Sequence, residues 1–97
     1  MAGPIYKLWM AKVTEAWYQL SAEEQAELLA KISDCLTQVG GKVIIGCESA
    51  WAGEQVEFWG IEEFPDIEAV QKLAQLHSQL NWYRYVDSKT LLGTKFE

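Results

Sequence analysis

The chain has 97 residues, of which 49% are hydrophobic and 23% are charged. This balance is typical of globular proteins, and the length predicts one domain over residues 1–97. The net charge of -6 comes from 14 acidic and 8 basic residues, and the basic ones are spread from Lys7 to Lys95. Nucleic acid is therefore not an expected partner, because binding to phosphates requires a clustered basic surface.

Two further features predict a cytoplasmic protein without membrane association. No apolar run approaches the length of about 20 residues that crosses a bilayer, and residues 1–4 form neither a basic nor an apolar targeting region. Cys35 and Cys47 lack the spacing of a metal or redox motif, so we expect both to be reduced thiols buried in the protein. The alternatives are a disulfide or a reactive thiol.

The first predicted element is a strand over residues 5–13. Alternation gives it two apolar faces, one with Ile5, Trp9, Ala11 and Val13 and the other with Tyr6, Leu8 and Met10. Residues 14–20 then break the pattern and predict a loop. Because this loop contains Trp17 and Tyr18, we expect another part of the protein to pack over it.

A helix is predicted to begin at Ser21, which forms an S-x-x-E capping box with Glu24. Its buried stripe follows three- and four-residue spacing and consists of Leu28, Leu29, Ile32, Cys35, Leu36 and Val39. Gly40 and Gly41 are expected to end the helix, since glycine readily adopts the left-handed cap conformation.

Residues 42–51 and 55–64 are predicted as two strands of a hairpin. Asp66 is then expected to cap a second helix, whose buried stripe consists of Ile67, Val70, Leu73, Ala74, His77 and Leu80. Asn81 is expected to end this helix in a left-handed conformation. The aromatic residues 82–86 are predicted as the fourth strand, followed by a tail over residues 87–97.

This element order is β-α-β-β-α-β, which predicts an α+β ferredoxin-like fold. The expected architecture is a four-stranded antiparallel sheet with both helices on one face, and the first and third strands in its centre. The helices cover only one face, so the other should be covered by a second subunit, a small molecule or both.

The sequence resembles the dimeric α/β-barrel superfamily, and within it the darcynin-like group of uncharacterised bacterial proteins. The resemblance rests on Trp17 with Leu20-Ser21, on Phe64-Pro65 and on the run from Asn81 to Tyr85. The group usually has glycine at the position of Asn81 and a Tyr-Phe pair in the strand, so Asn81 and Val86 depart from its pattern.

The resemblance implies a homodimer in which two subunits pack their open sheet faces together. The superfamily includes cofactor-free monooxygenases, haem-degrading enzymes, muconolactone isomerase-like enzymes and proteins of unknown activity, so the fold alone does not indicate a function.

Several aromatic residues are candidates for binding a small aromatic or apolar ligand on the open face. Strand alternation groups Trp9, Trp59, Tyr83 and Tyr85 as possible neighbours, with Glu48 and Glu57 close by. The alternative interpretation is a dimer interface filled by these rings, because aromatic residues are enriched in interface cores.

Arg84 and His77 each have two interpretations. Arg84 could bind a carboxylate or enolate of a ligand, or it could pair with Glu48, Glu62 or another carboxylate. His77, the single histidine, could be a general base, or a haem ligand as in the haem-degrading relatives. Otherwise it is a packed histidine with a hydrogen-bond partner.

The glutamates of the strands are expected to face solvent, with Glu48 as a possible base if it is buried. The sequence has no metal-ligand spacing and no phosphate-binding loop, so no cofactor or metal is predicted. The resulting hypothesis is a homodimer that binds a small molecule. The alternative is a cofactor-independent monooxygenase or isomerase in which His77 or Glu48 moves a proton.

Overall fold

The computed structural model describes residues 3–53 and 55–96. Residues 1 and 2, which belong to the segment considered as a targeting region, and residue 97 of the predicted tail lie outside the described residues. In chain order the elements are β1 (Ile5–Val13), α1 (Glu15–Tyr18), α2 (Ala22–Gln38), β2 (Lys42–Glu48), β3 (Phe58–Phe64), α3 (Ile67–Gln79), α4 (Trp82–Tyr85) and β4 (Val86–Gly93). The strands form one antiparallel sheet in the order β2-β3-β1-β4. The ferredoxin-like fold is confirmed, with β1 and β3 in the centre as predicted.

Both long helices begin at the predicted caps. Ser21 accepts a hydrogen bond from the Glu24 backbone N–H at 3.1 Å, and the Glu24 carboxylate accepts one from the Ser21 N–H at 2.8 Å. The Asp66 side chain accepts from the Ala69 N–H at 2.8 Å. Gly40, with a φ of 80°, follows α2 in the predicted left-handed conformation.

The core lies between the helices and one face of the sheet. Phe64 is fully buried and Leu73 is almost so, and the core also contains Cys35 and Ala69. Ile5 packs against this cluster, so the β1 face that carries Ile5 and Trp9 is the helix face. We call the opposite side the open face. One member of the predicted α2 stripe, Leu29, is instead 49% exposed.

The predicted fourth strand is the main error in the sequence interpretation. Residues 82–85 form the short helix α4, and the strand is Val86–Gly93, which begins at the last residue of the predicted strand and extends into the predicted tail. Asn81 adopts the predicted left-handed conformation, with a φ of 55°, and its carbonyl accepts a hydrogen bond from the Arg84 N–H at 3.0 Å. Tertiary contacts override the strand preference of the aromatic residues here, because α4 packs against the helices α1 and α3.

The predicted loop between β1 and α2 contains α1 and is packed against α4, as expected for its apolar residues. The Trp17 and Trp82 rings meet edge to face, with their centroids 6.2 Å apart. The Thr14 N–H donates to the Tyr85 carbonyl at 2.9 Å. Within residues 3–53 and 55–96, none of the helices has the length and hydrophobicity to cross a bilayer.

Candidate functional site

The strand register separates the two tryptophans that were expected on one face. Trp9 lies opposite Gly60, and Trp59 lies opposite Met10 in the next pair. Because successive side chains of a strand point to opposite faces, Trp9 is on the helix face and Trp59 on the open face. The predicted grouping is therefore wrong, since the sequence does not fix the phase of one strand relative to another.

Two rows of side chains cross the centre of the open face. The first, which we call the aliphatic row, consists of Ile45, Ile61, Leu8 and Leu91. The second, the tryptophan row, consists of Cys47, Trp59, Met10 and Lys89. Polar groups lie beside the aliphatic row, where the Tyr6 hydroxyl donates to Glu63 at 3.0 Å. This hydrogen bond raises the pKa of Tyr6.

Tyr83, Arg84 and Tyr85 belong to α4 and not to a strand, so they cannot line the sheet as predicted. The Arg84 carbonyl accepts a hydrogen bond from the Thr14 hydroxyl at 2.7 Å, which fixes the backbone of α4 against the end of β1. Arg84 itself is exposed. Tyr85 lines a groove of about 200 Å³ together with Leu28 of α2 and Leu80.

His77 lies at the end of α3 among aromatic rings. Its ring centroid is 6.2 Å from that of Tyr83 and 6.4 Å from that of Trp82. Burial, with a smaller effect from the Lys7 charge, lowers the pKa of His77 from 6.5 to about 4. His77 is therefore neutral at pH 7 and has the charge state of a proton acceptor.

Lys7 and Glu62 form a half-buried ion pair on the helix face that the sequence analysis did not find. Lys7 Nζ is 4.0 Å from Glu62 Oε1, and each side chain is 15% exposed. Burial lowers the pKa of Lys7 and raises that of Glu62, while their mutual attraction opposes both shifts. The sequence does show Lys7 as a charged residue on an otherwise apolar face of β1, which indicates a buried ion pair. Its partner cannot be identified from the sequence because it depends on the strand register.

Trp9 lies flat against a glycine of the neighbouring strand. A Cβ atom on Gly60 would be 2.7 Å from Trp9 Cζ2 and 2.9 Å from Trp9 Cε2, so only glycine leaves room for the indole. Trp9 Nε1 is buried and has no hydrogen-bond partner among the described residues. A buried N–H without a partner is rare in folded proteins and requires an explanation.

The carboxylates considered for acid-base chemistry do not join His77. Glu48 is exposed at the end of the edge strand β2, so the condition for its proposed role, burial, is not met. Glu57 precedes β3 and accepts a hydrogen bond from the Val13 N–H at 2.8 Å. In the part of the chain that the structure describes, no group of three or more His, Cys, Asp or Glu side chains could hold a metal ion.

The candidate residues thus do not form one cluster. His77 and Tyr83 lie together on the helix side, and Lys7 and Trp9 share the helix face of β1. Trp59 is on the open face, whereas Glu48 and Arg84 are exposed elsewhere. Which of these residues bind a ligand or take part in catalysis remains a prediction.

A family model with the description "Family of unknown function (DUF6616)" matches residues 6–97. The chain belongs to this family. No curated protein matches it in sequence.

Solved structures share the fold of this DUF6616 member at low sequence identity. The putative chlorite dismutase TA0507 is 19% identical with a TM-score of 0.74, and the match covers 96% of this chain and 45% of that one. A chlorite dismutase variant from Candidatus Nitrospira defluvii is 12% identical with a TM-score of 0.78, and the match covers 99% and 41% of the two chains. The chain therefore spans less than half the length of these chlorite dismutases.

A structure similar in length comes from the RPA0582 protein. It is 18% identical with a TM-score of 0.71, and the match covers 100% of this chain and 84% of that one. At these identities the likeness shows the fold alone. The solved structures bear out the ferredoxin-like fold. Neither they nor the family model show the narrower darcynin-like group.

Proposed function

We propose that this protein is a homodimer joined through its open sheet faces, and that it binds a small aromatic or apolar molecule beside Trp59. The observation that carries the proposal is the aliphatic row together with the tryptophan row. They place seven apolar side chains side by side on the face opposite the core that the two long helices cover in the described chain. Contiguous apolar surface of this kind marks an interaction site.

The accessible surface area of the single chain is larger than that of a compact monomer, which supports a partner on the open face. A compact monomer of 11.0 kDa exposes about 5,600 Å², but this chain exposes 6913 Å². Its extents are 44 × 30 × 16 Å, which is a two-layer slab with one broad face uncovered. A second copy is the partner we propose, because a two-fold axis would place each apolar row against another apolar row.

The ligand part of the proposal rests on the tryptophan row. Trp59 lies between Cys47 and Met10, both of which have polarisable, adaptable sulfur groups that pack well against aromatic rings. A planar apolar molecule could contact the Trp59 ring where the two faces meet.

The darcynin-like resemblance and the cytoplasmic location are part of the same proposal. Asn81, which departs from the glycine of that group, adopts the left-handed conformation that glycine would adopt without strain. Cys35 and Cys47 are both free thiols, which favours a reducing compartment.

Dimerisation can be tested with two leucines that are exposed in the single chain. Leu91 is 66% exposed in the aliphatic row, and Leu29 is 49% exposed on α2. Sedimentation equilibrium should give twice the chain mass for the natural protein and for Leu29→Glu. Leu91→Glu should weaken the dimer by at least about tenfold, because each interface would bury two unpaired carboxylates. A monomeric natural protein, or an unchanged Leu91→Glu dimer, would refute the proposed interface.

Ligand binding can be tested with 2-naphthol as the probe. Calorimetry should detect binding to the natural protein and a loss of about tenfold or more in Trp59→Ala, since the ring contact is removed. Trp51→Ala is the matched control, because Trp51 is 85% exposed in the turn after β2. Equal losses in both variants would exclude the site at Trp59.

A cofactor-independent monooxygenase or isomerase is the second candidate function. The half-buried, neutral His77 beside Tyr83 favours it, because such a residue could accept a proton from a phenolic or enolisable substrate. Oxygen uptake with 2-naphthol that disappears in His77→Gln would support the oxygenase. Retention of the uptake in that variant would exclude His77 as the base.

A further inference from the structure

The helix face has two glycines side by side on neighbouring strands, and the space above each of them differs. Gly60 and Gly46 are paired in the register of β3 and β2. Gly60 is required by the Trp9 ring that lies on it. Among residues 3–53 and 55–96, a Cβ atom on Gly46 would meet nothing within 4 Å beyond its own chain neighbours, so the space above it is open. Glycine inside a strand often marks a bulge or the close approach of a ligand. The register of β2 shifts between Val43 and Ile45, just before Gly46.

Trp9 brings a hydrogen-bond donor to this place. The two indole atoms nearest Gly60 are Cε2 and Cζ2, and Cε2 is bonded to Nε1. The ring edge that carries the buried, unpartnered N–H therefore lies over the glycine next to Gly46. An acceptor oxygen from outside the chain would satisfy this donor.

Lys7 supplies positive charge on the same face. It precedes Trp9 by two residues on β1 and lies opposite Glu62, with 4.0 Å between the charged groups. An ammonium group has three donors, and a single contact at this distance leaves donors for a further acceptor. Gly46 on β2 and Trp9 and Lys7 on β1 thus share the helix face, with Gly60 on β3 between them. The Lys7 Nζ also lies 5.9 Å from the centre of the Phe64 ring.

We propose that the surface over Gly46 and Gly60 binds a planar aromatic carboxylate or phenolate. Its ring lies on the bare backbone of Gly46, and its oxygen accepts a hydrogen bond from Trp9 Nε1 and is attracted by the positive charge of Lys7 on the same face. This site is on the opposite side of the sheet from Trp59 and does not depend on the proposed dimer.

The test uses 2-naphthoate as the probe and Gly46→Val as the main variant. Valine suits a strand and would extend into open space, so the fold should be kept while the site is filled. Calorimetry should show binding weakened by about tenfold or more in Gly46→Val and in Lys7→Met. Gly93→Val is the matched control, because its Cβ also meets nothing within 4 Å but lies at the end of β4.

A second readout reports on Trp9 directly. In the ¹⁵N–¹H spectrum, the indole N–H signal that Trp9→Phe removes should move downfield when 2-naphthoate is added to the natural protein. An unmoved Trp9 signal, or equal affinity of the natural protein and Gly46→Val, would overturn the site. Binding that is lost in Trp59→Ala but kept in Gly46→Val would place the probe on the open face instead and also overturn it. Sedimentation of the same variants reports separately on the dimer.

Discussion

The two faces of the sheet are built from the same four strands but carry different kinds of side chains. The helix face contains the fully buried Phe64 together with the Lys7–Glu62 pair and the orphan N–H of Trp9. The open face carries the aliphatic row and the tryptophan row, with polar groups towards its ends. Polar groups placed in a partly buried region favour chemical recognition there, whereas an apolar centre with a polar rim is typical of a protein interface.

The largest expected difference between the faces concerns the core. Phe64→Ala should lower the free energy of unfolding by about 3–5 kcal/mol, because it removes a fully buried ring and leaves a cavity. Leu91→Ala should cost less than about 1 kcal/mol in the dilute protein, since Leu91 is already exposed in the single chain. Urea denaturation measures both, and similar losses would contradict the described asymmetry of the two faces.

Gly60 and Gly46 allow a second comparison, between a packed and an open position on the helix face. Gly60→Ala should destabilise the protein by about 1–3 kcal/mol, because the new methyl group overlaps Trp9 and the Ile45 carbonyl. Gly46→Ala should change stability by less than about 0.5 kcal/mol, since its methyl group meets open space. Thermal unfolding of the two variants gives the comparison directly. A large loss in Gly46→Ala would show that the surface is not free.

The pH dependence of stability tests whether His77 is shielded from solvent on the helix side. Its pKa in the folded chain is about 4, below the ordinary 6.5, so the unfolded chain takes up a proton first as the pH falls. The stability from this residue is fully present above pH 6.5 and should be lost between there and about pH 4, by about 1–2 kcal/mol after solvent screening. Urea denaturation across this pH range should show a smaller acid loss in His77→Gln. Parallel curves for the two proteins would mean that His77 is solvated.

The smallest expected effect concerns the turn that leads into α4. Asn81→Ala should cost about 1 kcal/mol, because a left-handed backbone is strained for alanine. Asn81→Gly should lie within about 0.5 kcal/mol of the natural protein, since glycine adopts this conformation freely. Thermal unfolding separates the two variants. A tolerant Asn81→Ala would mean that the turn is not constrained by the rest of the fold.

Local sequence signals predicted much of the fold and less of the candidate sites. Asp66 and the Ser21–Glu24 capping box marked the starts of both long helices, because cap hydrogen bonds join residues only three positions apart. The extent of β1 was also predicted, since alternation is a local property. The candidate site at residues 82–85 was misplaced because an aromatic run can be a strand or a packed helical turn. Contacts with Trp17 and His77 decide between them.

The sequence by itself determined the order of the two long helices and the first three strands, the helix caps and the left-handed turn at Asn81. Each of these depends on backbone hydrogen bonds and dihedral preferences within a few neighbouring residues. Only the tertiary structure placed Trp9 and Trp59 on opposite faces, paired Lys7 with Glu62 and put Trp9 on Gly60. The residues of each pair lie about 50 positions apart in the sequence. A shift of one residue in strand register would move one partner of each pair to the other face of the sheet.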